Sequence, residues 1–68
     1  MTSDAERIAI AHVAQSLSVR FPNIAPVVVA RVVQETHDSY FAHPTREFVP
    51  ILVEDAARDR LRVIGPTA

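Results

Sequence analysis

The stretch RFPNIAPVVVARVVQE, residues 20–35, decides the fold. Read alone, its valine run suggests a buried strand, because β-branched side chains favour extended chain. Length and flanks argue for helix instead. Pro26 suits a helical first turn, where its fixed φ is already correct and its missing N–H is not needed. From Pro26 to about Phe41 the chain has no glycine and no further proline. Val29, Val32, Val33, Thr36 and Tyr40 keep helical spacing, while Arg31, Gln34, Glu35 and Asp38 fall on the other side. The spacing predicts a helix over 26–41.

Upstream, Ser3 and Glu6 have the spacing of a capping box. Ile10, Val13, Ala14, Leu17 and Phe21 then recur at steps of three and four as one apolar stripe, and Glu6, Arg7, Gln15, Ser16 and Ser18 take the other directions. Pro22 disfavours helical geometry at Phe21, so the first helix is expected over about 4–20. Downstream, Pro50 is tolerated only within a first turn. A third helix is expected over about 48–63, beginning in earnest near 47–49 after a looser turn from Thr45 and stopping at Gly65-Pro66. Its apolar face is Val49, Leu52, Val53, Ala56, Ala57, Leu61 and Ile64, with Glu54, Asp55, Arg58, Asp59 and Arg62 paired along the solvent side. Residues 1–68 therefore read as one all-α domain, a three-helix bundle, with Leu17, Phe21, Val29, Val33, Leu52 and Leu61 in its core.

Composition narrows the function. A chain of 68 residues gives a marginal isolated core, and with no cysteine it has neither disulfides nor the best zinc ligands to supplement it. A partner subunit is the remaining supplement. Seven basic residues, all arginine, stand against eight acidic ones for a formal net charge of -1, which gives no field favouring nucleic acid or anionic lipid. The opening MTSDAERIAIAHVAQ has acids where a signal peptide carries positive charge, and no apolar run approaches the roughly 20 residues of a membrane span, so a cytoplasmic protein is expected.

Catalytic chemistry finds no foothold. His12, His37 and His43 lack the HxxxH or HExxH spacing that puts two imidazoles on one helical face, and His37 and His43 read as surface histidines near a helix end. No serine sits in a strained elbow, the single glycine excludes a phosphate-cradling loop, and the carboxylate pairs lie beside arginines that keep them ionised. The expectation is a non-enzyme with no cofactor and no metal. A helix-turn-helix regulator is the alternative suggested by Arg58, Arg60 and Arg62, against which stand Glu54, Asp55 and Asp59 on the same helix.

The apolar positions outnumber those a single stripe uses. Val28 (or Val27) and Phe41 on the second helix, and Ile51 and Val63 on the third, fall outside the main stripes and are interface candidates for a homodimer or for another protein chain. The segments LSVRFPNIAP, VVVARVVQETHDSY and REFVPILVEDAARDRL together resemble the small actinobacterial three-helix bundle dimerisation domains, which stand alone or precede phosphatase-like arsenate reductases. The resemblance runs from about Ile8 to Leu61 and matches Phe21, Pro22, Val49, Pro50, Leu52 and Leu61 as structural positions. It implies a dimerisation module without the thiol chemistry of those reductases, since the chain has no cysteine. RFPNI also resembles the start of ubiquitin-binding CUE domains, another three-helix fold, but Leu61-Arg62 does not supply their closing di-leucine.

Overall fold

The computed structural model describes residues 4–64, in which three helices form an all-α bundle, each packed on the other two. Helix α1 is Asp4–Arg20, α2 is Pro26–Ser39 and α3 is Val49–Ile64, the last preceded by one 3-10 turn at Arg46–Phe48. The molecule is a short rod of 38 × 18 × 14 Å. Ser3, the expected partner of Glu6 in the capping box, and the Gly65-Pro66 stop lie outside the described residues.

The first connection is a tight turn in which the Ile24 N–H donates to the Phe21 carbonyl at 3.0 Å. Ile24 is buried there, so the linker adds a core residue of its own. Ala25 caps α2 from an extended conformation, with φ -57 and ψ 137 and no side-chain hydrogen bond, and Pro26 follows as the first helical residue. The Ala25 carbonyl takes the N–H groups of Val28 and Val29 at 2.9 and 3.1 Å, so the valine run begins as helix without help from a polar cap.

Helix α2 ends at Ser39 rather than Phe41. The amides of Tyr40 and Phe41 reach back only three residues, to His37 and Asp38, which tightens the chain out of α geometry. The second proline boundary behaves as its chemistry requires. Pro50 is the second residue of α3, where no intrahelical partner exists for an N–H, and the 3-10 turn before it aligns the backbone.

Leu17, Val29, Val33, Val49, Val53, Ala57 and Leu61 are almost wholly enclosed, with Ile10, Val13, Ile24 and Val32 completing the core. The buried positions of α3 repeat every four residues, from Val49 to Leu61. At about 100° per residue such a line drifts roughly 40° per step around the helix. Leu52 and Ala56 consequently sit half-buried at its edge, and the line passes from Leu61 to position 65, which leaves Ile64 exposed rather than on the apolar face. Phe21 is only partly buried, packed against the core from the end of α1. Thr36 is fully buried, and its hydroxyl donates to the Val32 carbonyl at 2.7 Å, four residues back in the same helix.

Candidate functional site

The largest departure from the sequence reading is a buried ionic cluster. Glu6 was expected on the polar side of α1 and His37 at the surface, yet they are 7% and 8% exposed. His37 Nε2 lies 2.5 Å from Glu6 Oε2. A carboxylate is an acceptor only, so the imidazole carries its proton on Nε2 and donates it. Arg46, from the 3-10 turn, closes the cluster: its Nε and Nη2 donate to the two carboxylate oxygens at 3.2 and 2.5 Å in a two-pronged contact. Its remaining Nη1 donates to the carbonyls of Tyr40 and Phe41 at 2.7 and 2.8 Å, just past the end of α2. One guanidinium thus ties α1, the C-terminal end of α2 and the lead-in to α3 together.

Arg46 and then His37, by hydrogen bonding the ionised form, hold the Glu6 carboxyl below the ordinary value of 4.5, against burial, which pushes it up. The cluster is a satisfied, ionised tie. Around it, His43 accepts from the Thr45 N–H at 3.1 Å and its ring lies tilted to Tyr40 at 6.1 Å, which orders the connection from α2. His12 is exposed on α1. Among the described residues no group of three or more histidines and carboxylates could hold a metal ion. On α3 the Arg58–Asp55 pair is formed at 2.9 Å; the pairs of Arg58 with Glu54 and of Arg62 with Asp59 are not.

The interface candidates divide. Val28 is partly buried and packs against the bundle's own core, so it is not a free surface position; at one residue before Val29 it lies at the shoulder of the buried stripe. Phe41, Ile51 and Val63 are 73%, 59% and 86% exposed. Ile8, Val19, Val27, Phe48 and Ile64 are exposed as well. The helices alternate in direction, so these eight fall into two groups: Ile8, Phe41, Phe48 and Ile51 at the end that holds Arg46, and Val19, Val27, Val63 and Ile64 at the other.

One long groove opens between α1 and α2, about 570 Å³ in volume, bordered by Arg7, Ile10, Ala11 and Ala14 on one side and Ala30, Val33, Gln34 and His37 on the other. Comparison with known proteins adds no relative: no family model, no curated protein and no solved structure matches this chain. No described helix is long and apolar enough to cross a membrane.

Proposed function

We propose that the chain is a non-catalytic, cytoplasmic association module that works as a homodimer, in the manner of the actinobacterial three-helix dimerisation domains it resembles. The observation that carries this reading is the exposed apolar surface of α3 and its lead-in, where Phe48, Ile51, Val63 and Ile64 are all more than half exposed. At about 100° per residue Ile51, Leu52 and Val63 fall within roughly 120° of the helix circumference, on the side away from Val53. Asp55, Asp59 and Arg62 are interleaved with them, so a two-fold pairing can oppose acid to arginine across an apolar contact.

Magnitudes favour a partner. Fully burying an isoleucine or valine side chain contributes about 1.5 to 3 kcal/mol. Association costs at least about 4 kcal/mol in lost freedom, so Phe48, Ile51 and Val63 of each copy suffice only if most of their exposed surface is enclosed. The chain's 68 residues bury a small core and have no covalent cross-link, which makes that extra burial valuable. The test is thermal unfolding over a hundredfold range of protein concentration. Mass action makes the midpoint rise with concentration for a dimer and leaves it fixed for a monomer.

A further inference from the structure

We propose that the partner copy lies antiparallel along α3, with the acidic half of each bundle against the arginine half of the other. This rests on the dimer reading above and adds to it the orientation, the ion pairs that set it and a dependence on salt. The observation behind it is a segregation of charge that the formal net charge of -1 conceals. The half of the rod that contains Arg46 comprises 4–12 and 33–56, and the opposite half comprises 13–32 and 57–64. Seven of the eight acids fall in the first half, together with only Arg7 and Arg46. The second half sets Asp59 against Arg20, Arg31, Arg58, Arg60 and Arg62. The rod is 38 Å long and charges are screened over about 8 Å at physiological salt, so a partner meets two separate fields of opposite sign.

Few of these charges are paired within the chain. Among the described residues the ion pairs are those of Glu6 with His37 and Arg46, and of Asp55 with Arg58. Arg62 is exposed and makes neither a hydrogen bond nor an ion pair there. Asp55 is 62% exposed at its side chain; Arg58 takes its Oδ1 at 2.9 Å, and its Oδ2 has no partner among the described residues. An acid and an arginine with bonding capacity to spare therefore stand on the same helix as Ile51 and Val63.

Their placement selects the orientation. Val49, Val53, Ala57 and Leu61 are the buried line of α3. At about 100° per residue Asp55 and Arg62 lie roughly 200° and 180° round from Val53, on the outward side, with Ile51 at roughly 160° and Asp59 at roughly 240°. An antiparallel copy lays each Arg62 against the partner's Asp55 and Asp59, and the two-fold axis makes that contact twice. It also brings Ile51 within about one helical turn of the partner's Val63. A parallel copy would set each of these charges against its own kind. End-to-end stacking also matches opposite halves, but it does not close and would yield open chains.

The experiment is sedimentation equilibrium of the full chain and of charge-reversal variants, with circular dichroism confirming that each is folded. For wild type, the dimer Kd is expected to rise about fivefold between about 50 and about 500 mM sodium chloride as the attraction is screened. Asp55→Arg and Arg62→Asp should each raise Kd about tenfold at the lower salt, because each reversal turns paired attractions into repulsions. The double variant Asp55→Arg, Arg62→Asp should return to within about threefold of wild type, and an equimolar mixture of the two single variants should dimerise more tightly than either alone. If Asp55→Arg is misfolded, Arg62→Asp is set against Arg62→Lys, which keeps the charge and should stay within about threefold of wild type. A Kd unmoved by salt, a folded Arg62→Asp within about twofold of wild type, a folded double variant weaker than both singles, or masses growing past the dimer would overturn the antiparallel pairing while the chain still self-associates. A monomeric wild type would overturn both readings, and duplex DNA binding to that monomer at low salt would give the arginine half to a polyanion instead.

Discussion

Removing the charge of Glu6 is the most informative single perturbation of this fold. Glu6→Gln keeps the shape of the side chain but leaves one acceptor oxygen: of its charge-assisted hydrogen bonds, those from His37 and Arg46 Nη2 to Oε2 become neutral-acceptor ones, and the amide NH2 then faces Arg46 Nε donor to donor and loses that bond. Hydrogen bonds to a charged group are worth about 1.5 to 3 kcal/mol net and neutral ones about 0.5 to 1.5, so the gross difference is roughly 1 kcal/mol for each bond. Arg46 is 38% exposed at its side chain, so water screens its share and it keeps its bonds to Tyr40 and Phe41. The expected loss is about 2 kcal/mol, a large fraction of the roughly 3 to 10 kcal/mol available to a domain this size. For small domains that corresponds to a fall in melting temperature of about 8 °C or more. Glu6→Ala should cost more, about 3 to 5 kcal/mol, because it also strands the buried His37. Urea unfolding followed by circular dichroism at pH 7 measures both.

The pH dependence separates this account from a packing defect. The folded-state value of Glu6 is lowered from 4.5, so the carboxylate contributes stability that is fully present above that value and is lost as pH falls through the folded value. Wild type should therefore lose stability with a steeper acid slope below about pH 4.5 than Glu6→Gln does. A Glu6→Gln variant within about 0.5 kcal/mol of wild type at pH 7, or one with an unchanged acid slope, would refute the reasoning.

Two further outcomes follow from burial. Thr36→Val replaces a buried hydroxyl that bonds only within its own helix by a methyl group of similar size, so stability should change by less than about 1 kcal/mol in the same urea assay. Val28→Asp places a charge against the core and should abolish most of the helical signal at 25 °C, whereas Ile51→Asp, at an exposed site, should leave helicity unchanged.

Local signals in the chain account for the architecture. Pro26 at a first helical position and the absence of breakers to its C-terminal side outweigh the strand preference of the valines, and Pro50 marks the first turn of α3 because only there is its missing N–H harmless. The buried cluster was not legible in the same way, since Glu6 pairs with residues 31 and 40 positions away and no local rule reports such distances. A signal was nevertheless present. Glu6 stands four residues before Ile10, in line with Val13 and Leu17, and His37 stands four after Val33, so an acid and a base each continue an apolar stripe. Two ionisable groups of complementary type on two core-facing stripes suggest a buried pair. Val28 was misplaced for a related reason: one residue from a stripe edge is about 100° of rotation, and the contact with the core depends on how closely the neighbouring helix approaches.

Sedimentation equilibrium of the full chain from low to high micromolar concentration tests the proposed dimer most directly. The account predicts a mass approaching twice 7.5 kDa in wild type, and a helical monomer of 7.5 kDa for the double variant Ile51→Asp, Val63→Asp. A wild-type chain that stays at 7.5 kDa throughout, with a melting temperature independent of concentration, would contradict it.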